Sequence, residues 1–318
     1  MTKVKLLIQI PCFNEEATLP ETVMALPREI PGIDTIETLV IDDGSSDATA
    51  AVAQALGVNH IIRFATHRGL AAAYMAGLDA CLARGADIIV NTDGDNQYCG
   101  ADIEKLVAPI LSGEAELVVG CRPIEEVPHF SGLKKRLQRW GSRVVRHLSG
   151  VDVPDATSGF RAHSAEAALK LNVISKFTYT IESLIQAGKK GVATRCVPIR
   201  INARPQRSSR LFGSTSEYLR KSAVDMLRIY GSYEPLRVFS IIGGALTFIG
   251  SLPILRFLYF YLTGPGSGHI QSLIVGTVLI VVGFQILVIA LLADLIGANR
   301  RLMEELLYRS RRGDAPDR

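Results

Sequence analysis

The stretch Ile88-Ile89-Val90-Asn91-Thr92-Asp93-Gly94-Asp95-Asn96-Gln97 places two carboxylates, separated by one glycine, directly after a short apolar run. The run predicts a buried β-strand, because it is β-branched, short and preceded by a Gly-Ala-Asp turn. The polar residues then lie at the carboxyl end of that strand, where open α/β sheets bind their ligands. Two aspartates there can hold one divalent cation through hard oxygen ligands, and the cation can bridge nucleotide phosphates. An Asp-x-Asp also occurs in many solvated turns, so its meaning depends on the rest of the chain.

Other short apolar runs alternate with helical segments. Strands are predicted at residues 4–10, 36–41, 60–64, 87–90 and 116–120. Helices are predicted at 18–27, in a segment that follows the turn at Asp42–Asp47 and ends at about residue 56, and at 69–84. This alternation predicts an α/β domain with a mostly parallel, doubly wound sheet. Polar clusters follow four of the strands, at Pro11–Glu16, Asp42–Ser45, Asp93–Gln97 and Gly120–Arg122.

Composition limits the classes of function. The 318 residues give room for one large α/β domain and a further segment. With 48% hydrophobic residues the chain is apolar for a soluble enzyme, and a net charge of only +4 argues against a nucleic-acid partner. The five cysteines are scattered and odd in number, which predicts free thiols in a reducing compartment rather than disulfides or metal ligands. They are Cys12, Cys81, Cys99, Cys121 and Cys196. A strand begins within a few residues of Met1, so no signal peptide is expected.

The last hundred residues predict a membrane attachment. Residues 213–237 mix apolar and basic side chains, as in an amphipathic helix at a membrane surface. The segments 238–262 and 273–296 are each long and apolar enough to cross about 30 Å of hydrocarbon, and a pair of buried core helices is the alternative. Arginine and lysine flank the pair on both sides but not in the loop between. The positive-inside rule therefore predicts a hairpin over 238–296, with both termini, including a basic tail at 297–318, in the cytoplasm.

These motifs, taken in order, resemble those of family 2 glycosyltransferases of the GT-A fold. The resemblance covers about residues 4–212 and is nearest to the branch that includes dolichol-phosphate mannose synthase and bacterial polyprenyl-phosphate glycosyltransferases. It also rests on Asp155-Ala156-Thr157-Ser158-Gly159-Phe160-Arg161, which matches the family's Asp-x-x-Ser-Gly-Phe stretch. The resemblance implies a GT-A domain at residues 1–212, ahead of the predicted surface helix and hairpin.

The resemblance also implies a site for a UDP- or GDP-sugar. The turn at Asp42–Asp47 has helix capping as an alternative reading, since Asp and Ser are favoured at helix starts. Gly94 suits close approach of the backbone to the donor. By position in the family motifs, the base and ribose contacts are Pro11, Phe13, Glu15, Asp42 and Asp43, and the donor-phosphate contacts are Arg122 and a flexible loop with Arg204, Ser209 and Arg210.

For the reaction itself, the resemblance implies that Asp93, Asp95 and Gln97 hold Mg²⁺ or Mn²⁺. Asp155 is the expected catalytic carboxylate, although an aspartate after Pro154 also suits a plain turn. Glu182 is expected near the sugar or the acceptor. Binding of the acceptor phosphate is assigned to a basic run and to Arg161 at the end of the Asp155 motif. A solvated helix face is the alternative reading of the run, which consists of Lys134, Lys135, Arg136 and Arg139.

The expected function is an inverting, metal-dependent transfer of a sugar to a polyprenyl phosphate, undecaprenyl or dolichyl, at the cytoplasmic face of the membrane. The alternatives are another lipid or glycan acceptor, with the hairpin as an anchor, and a non-catalytic membrane scaffold. Two departures from the mannose synthases, Thr178 and the triplet Asn91-Thr92-Asp93, leave the donor sugar open. Membrane lipid is an expected partner, and a homo-oligomer is compatible with the sequence.

Overall fold

The structure is a computed structural model that describes residues 3–123, 132–174, 179–202, 234–264 and 270–313, with the backbone alone described at 132–140. The chain forms two compact units. One comprises Met1–Met226 together with Leu307–Arg318, and the other comprises Leu227–Leu306. The predicted surface helix at 213–237 and the predicted end of the first domain at 212 fall almost wholly outside the described residues.

A seven-stranded sheet forms the centre of the first unit. Its strands lie in the order β3-β2-β1-β4-β6-β5-β7, and all neighbours are parallel except those of β6, which runs antiparallel between β4 and β5. The predicted mostly parallel α/β sheet is therefore confirmed. The strands are β1 (Lys5–Cys12), β2 (Thr35–Asp42), β3 (His60–Arg63), β4 (Ile88–Asn91), β5 (Leu117–Cys121), β6 (Arg161–Ser164) and β7 (Thr194–Pro198).

Helices cover both faces of this sheet. Strand β1 is buried on both sides, with Leu6, Ile8 and Ile10 in one apolar cluster and Leu7 in another. This is why its sequence is a continuous apolar run rather than an alternating one. The helices are α1 (Leu19–Met24), α2 (Thr49–Ala55), α3 (Leu70–Ala83), α4 (Ile103–Leu111), α5 (Gly132–Ser149), α6 (Ala165–Lys170) and α7 (Tyr179–Lys189), with a 3₁₀ turn at Gly100–Asp102.

The second unit consists of two long helices, α8 (Pro235–Thr263) and α9 (Ile270–Gly313). By length and composition both could cross a membrane. They approach closely at glycines spaced seven residues apart: a Cβ on Gly243 would lie 2.8 Å from the carbonyl oxygen of Gly283, and one on Gly250 would lie 3.0 Å from that of Gly276. Small residues permit this backbone contact where lipid removes the hydrophobic drive for helix association. Helix α9 continues without a break through the predicted start of the tail at 297.

The last turns of α9 belong to the first unit and are bonded to it. The Tyr308 hydroxyl donates to Glu166 Oε1 at 2.8 Å. Arg311 donates to the carbonyl oxygen of Leu171 at 2.8 Å and pairs with Asp79 at 3.0 Å. Part of the predicted basic tail is thus a helix end that contacts α3 and α6.

The cysteines depart from the sequence prediction. Cys121 and Cys196 form a disulfide, with their Cα atoms 6.0 Å apart, so the prediction of free thiols is wrong for these two. The parallel pairing of β5 with β7 places Val119 opposite Cys196. Cys121 is two residues further along β5 and on the same face of the sheet as Val119. This proximity comes from strand pairing across 75 residues and leaves no trace in local spacing. Cys12, Cys81 and Cys99 are free.

Candidate active site

The loop that carries the predicted cation ligands, Asp93–Cys99, follows β4 and is fastened to α1. The carbonyl oxygen of Gly94 accepts hydrogen bonds from the hydroxyls of Thr18 at 2.9 Å and Thr22 at 3.1 Å. A Cβ on Gly94 would lie 2.8 Å from Cys12 Sγ, so the backbone can pass here only because residue 94 has no side chain. Within the loop, Asp95 Oδ1 accepts the backbone N–H of Gln97 at 3.0 Å.

A second segment, Asp155–Phe160, packs directly against Asp93. A Cβ on Gly159 would lie 3.1 and 3.2 Å from the two carboxylate oxygens of Asp93 and 2.7 Å from the hydroxyl of Tyr179. Asn91 Nδ2 donates to the carbonyl oxygen of Gly159 at 2.8 Å, and the Gly159 N–H donates to the Tyr98 hydroxyl at 3.1 Å. Both peptide groups of Gly159 are thereby fixed, and the Ser-Gly-Phe motif forms a wall beside the predicted cation site.

The predicted cation ligands form a set of oxygen donors. Asp93 and Asp95 supply carboxylates and Gln97 supplies an amide oxygen, which suits Mg²⁺ or Mn²⁺ rather than a thiolate-binding metal. Among the described residues no group of three or more His, Cys, Asp and Glu side chains could hold a metal by itself. Two carboxylates and one amide therefore fit a cation whose remaining ligands come from phosphate oxygens and water.

Arg122 and Asp155, predicted in separate roles, form one buried pair. Arg122 Nε donates to Asp155 Oδ2 at 2.7 Å and Nη2 donates to Oδ1 at 3.0 Å, with Thr157 Oγ1 as a further acceptor at 2.9 Å. Burial alone would raise the pKa of Asp155, but Arg122 outweighs it and holds that pKa below its usual value. Burial likewise opposes the charge on Arg122, while Tyr98 and Asp155 raise its pKa. Both groups are charged at neutral pH, and Asp155 orients the guanidinium of Arg122.

The predicted base-binding acids are buried and bonded to protein. Asp43 accepts the backbone N–H groups of Arg68 at 2.7 Å and Gly69 at 2.9 Å, and His67 Nδ1 lies 2.9 Å from it. Asp42 accepts the N–H of Ser45 at 2.9 Å. The two carboxylates thus order the loops after β2 and β3, which supports a structural role; their contact with a ligand stays a prediction.

The remaining first-loop residues lie near these acids. Pro11 is buried at the end of β1, and Glu15 accepts the Thr18 hydroxyl at 2.6 Å. The ring of Phe13 stacks on that of His67 with 4.0 Å between centroids, and both side chains face solvent in part. No role for His67 follows from the sequence, and in the structure its ring contacts both Phe13 and Asp43.

Arg161 is enclosed within the protein. Its side chain is fully buried and donates to the carbonyl oxygens of Ser158 at 2.9 Å and Ala156 at 3.0 Å, and to Ser183 Oγ at 2.6 Å. The guanidinium is enclosed and its donors serve the loop that carries Asp155, which supports a structural role; the predicted contact of Arg161 with an acceptor phosphate stays a prediction.

Glu182 is also buried and contacts the protein. Its carboxylate accepts the N–H of Ile174 at 3.1 Å and the amide of Gln186 at 3.2 Å. The bond from Ile174 attaches α7 to the segment after α6, and the predicted place of Glu182 near the sugar or the acceptor stays a prediction.

The side chains of two groups of predicted site residues lie outside the described part of the structure. The structure describes only the backbone of α5 at the basic run: Lys134, Lys135, Arg136 and Arg139. The predicted diphosphate loop lies outside the described residues: Arg204, Ser209 and Arg210. Their assignments remain those of the sequence.

Several residues around the site had no role in the sequence analysis. Asn91, Tyr98 and Tyr179 hold Gly159 against Asp93. The one local signal was Asn91, a polar residue that ends an otherwise apolar strand; the tyrosines resemble ordinary core residues until the fold brings them together.

Residues 7–171 match the model of the family described as Glycosyl transferase family 2. The chain belongs to this family. The polyprenol monophosphomannose synthase of Mycolicibacterium smegmatis is 31% identical over 219 residues, which cover 65% of this chain and 81% of the relative. The UDP-N-acetylglucosamine–dolichyl-phosphate N-acetylglucosaminyltransferase of Methanococcus voltae is 31% identical over 216 residues, which cover 60% of this chain and 83% of the relative.

A solved structure shares the fold of this family 2 glycosyltransferase. The glucosyl-3-phosphoglycerate synthase from Mycobacterium tuberculosis, crystallised with Mn²⁺, UDP and phosphoglyceric acid, superposes with a TM-score of 0.56 and 21% identity over 72% of this chain and 79% of that one. The predicted GT-A fold is confirmed, and the protein is a glycosyltransferase.

Gly159→Ala tests the packing around Asp93. The added methyl group would press on the Asp93 carboxylate and the Tyr179 hydroxyl, so we expect Asp93 to shift and sugar transfer to fall about 100-fold, an activation cost of roughly 3 kcal/mol. Transfer rates are measured across a Mn²⁺ titration, with thermal unfolding as the check on folding. Gly141→Ala is the matched control, because a Cβ there meets no atom within 4 Å. Unchanged transfer by a folded Gly159→Ala protein would contradict this account.

Proposed function

We propose that this glycosyltransferase moves a sugar from a nucleoside-diphosphate sugar to a polyprenyl phosphate, with inversion, at the cytoplasmic face of a membrane. One observation carries the proposal: a single chain joins a family 2 transferase domain to two helices long and apolar enough to cross a membrane. Such an attachment keeps an enzyme at the surface where the head group of a lipid phosphate lies. The names of two relatives, which specify polyprenol and dolichyl phosphates, support the same acceptor class.

On the donor side, Asp93, Asp95 and Gln97 would hold Mg²⁺ or Mn²⁺. When bound, the cation supplies positive charge that offsets the negative charge developing on the leaving diphosphate. Arg122 adds a permanent positive charge beside this site, since its pKa is held above the usual value. Asp155 and Thr157 fix the guanidinium before the substrate arrives, so little reorganisation is needed during the reaction.

On the acceptor side, the attacking group is already an anion. The second pKa of a phosphate monoester is about 6, so an acceptor phosphate is largely ionised at neutral pH and needs no strong general base. This agrees with an Asp155 whose two oxygens are bonded to Arg122. We propose that Asp155 acts through the orientation of Arg122, and that the phosphate oxygen attacks the anomeric carbon in line.

The identity of the donor sugar stays open, and its nucleotide can be UDP or GDP. The named relatives use mannose in one case and N-acetylglucosamine in the other, and the solved structure that shares the fold contains UDP. UDP- and GDP-sugars are therefore both to be screened. A second candidate function, transfer to a different lipid or a glycan with the hairpin as an anchor, uses the same site and differs only in the acceptor.

Asp95→Ala tests the cation assignment. We expect transfer to fall at least about 1,000-fold, roughly 4 kcal/mol in activation free energy, because one of two carboxylate ligands is lost. The residual activity should need a higher Mn²⁺ concentration. Asp152→Ala, which removes an exposed carboxylate that pairs with Arg146, is the control. Normal turnover and Mn²⁺ dependence in Asp95→Ala would exclude the assignment.

The acceptor is tested with the double variant Lys135→Ala/Arg136→Ala. The sequence places these cations at the acceptor phosphate, so we expect the KM for undecaprenyl phosphate to rise about tenfold or more while the KM for the sugar nucleotide stays within about twofold. Arg28→Ala/Arg84→Ala removes the same charge from exposed positions elsewhere and serves as the control. If the enzyme transfers sugar equally well to a water-soluble acceptor, the lipid-phosphate proposal fails and the second candidate stands.

The membrane orientation is tested by reporter fusions. Both the N-terminus and the C-terminus should report from the cytoplasm, and a reporter inserted between α8 and α9 should report from the opposite side. The reason is that arginines follow the second span whereas the loop between the spans has no Lys or Arg. Termini on opposite sides would exclude a hairpin.

A further inference from the structure

A short segment after β7, Ile199–Asn202, lies alongside the Asp93–Cys99 loop. Ile201 forms an antiparallel bridge with Tyr98. The N–H of Cys99 donates to the carbonyl oxygen of Arg200 at 3.3 Å, and the N–H of Asn202 donates to that of Gln97 at 2.9 Å. The segment therefore follows the loop residue by residue, although about a hundred positions separate the two in sequence.

Asn202 makes the densest set of these contacts. Its side-chain Nδ2 lies 3.0 Å from the carbonyl oxygen of Asn96, 3.1 Å from Asn96 Oδ1 and 3.2 Å from the carbonyl oxygen of Tyr98. With its backbone N–H on Gln97, this one residue bonds three consecutive residues of the loop. An amide group has two hydrogens to donate, and both point at the loop.

The loop needs such support at Asn96. That residue has a φ of +52°, in the left-handed region that residues other than glycine adopt at a cost. The two cation ligands flank it: Asp95 precedes Asn96 and Gln97 follows it. Since Asp95 Oδ1 accepts the N–H of Gln97, the direction of the Asp95 carboxylate depends on the backbone that Asn202 holds.

The supporting segment is itself anchored away from the loop. Asp102 is fully buried and accepts the Arg200 N–H at 2.6 Å, the Arg200 guanidinium at 2.8 Å and Lys105 Nζ at 2.8 Å. Burial would raise the pKa of Asp102, but the hydrogen bonds from Arg200 and Lys105 outweigh it and lower the pKa to about 2. The anchor stays ionised at every pH at which the enzyme would be assayed.

We propose that Asn202 is a positioning residue for the cation site: it holds Asn96–Tyr98 in the conformation that directs Asp95 and Gln97 toward the cation. The proposal rests on the metal-dependent function proposed above. Asn202 acts through its hydrogen bonds to the loop. Its loss should weaken cation binding and leave the acceptor site unaffected.

The experiment measures Mn²⁺ binding to the full-length protein in detergent, by electron paramagnetic resonance, with UDP and separately with GDP. We expect the Kd for Mn²⁺ to rise about tenfold in Asn202→Ala. Asn202→Asp should do the same, because it keeps the size but removes both N–H donors and turns a carboxylate toward two carbonyl oxygens. Asn59→Ala is the matched control, since Asn59 caps the N–H of Thr38 at 2.9 Å on a distant edge of the sheet.

A double-mutant cycle separates positioning from general destabilisation. If Asn202 acts through the two ligands of the loop, the effect of Asn202→Ala on the Mn²⁺ Kd should be clearly smaller in a Gln97→Ala background, where only Asp95 is left to be misdirected, whereas a destabilised fold would weaken binding equally in both. The KM for undecaprenyl phosphate should stay within about twofold throughout. Assays run well below the unfolding midpoint of each variant.

The outcomes distinguish this inference from the proposed function. Tight Mn²⁺ binding in the wild type with the same Kd in both Asn202 variants, or equal effects in both backgrounds of the cycle, would overturn the role of Asn202 and leave the proposed function intact. Absence of Mn²⁺ binding in the wild type with either nucleotide would overturn both.

Discussion

The candidate site depends on the insertion of one antiparallel strand. Strand β6 lies between β4 and β5, so that Arg161 at its start is opposite both Asn91 and Val119. The residues just before β6 must then lie between the ends of the two parallel neighbours. Asp155 reaches Arg122 beyond the end of β5, and Gly159 reaches Asp93 beyond the end of β4. A parallel strand in this position would direct the Asp155–Phe160 segment to the opposite edge of the sheet.

The site contains several buried charges, and three of them are satisfied in different ways. Asp155 has a cationic partner, Asp43 has backbone N–H donors, and Arg161 donates to neutral oxygens within the described part of the chain. Burial lowers the pKa of Arg161, and it lowers that of neighbouring His163 to about 3, so the imidazole stays neutral beside the guanidinium. Removing one partner of a buried pair costs more than the pair contributes, because a charge is left without compensation. Polar networks of this kind hold loops rigid, which suits a site that must bind a diphosphate in one geometry.

The hairpin follows a different set of rules from the sheet domain. Its large apolar side chains are mostly exposed, and its two helices approach closely at glycines spaced seven residues apart. In hydrocarbon, leucine gains nothing by leaving lipid for protein, so close backbone packing takes over the task that apolar burial performs in the sheet domain. An attachment of this type places an enzyme at the interface where the phosphate group of a polyprenyl lipid lies, and this is the physical basis of the proposed acceptor.

Local patterns in the sequence were sufficient for the fold class, the order of most strands and helices, the two long apolar helices and the family motifs, because each depends on the spacing of residues within about twenty positions. Strands β6 and β7 were both missed, since four or five residues without a clear alternation carry little periodic signal. The Cys121–Cys196 disulfide, the Arg122–Asp155 pair, the burial of Arg161 and the contacts of Asn202 were decided only by the tertiary structure. Each of these features joins positions that lie far apart in the chain or depends on which side of a strand a neighbour packs. Both are set by the order of strands in the sheet, and no single segment of the sequence determines that order.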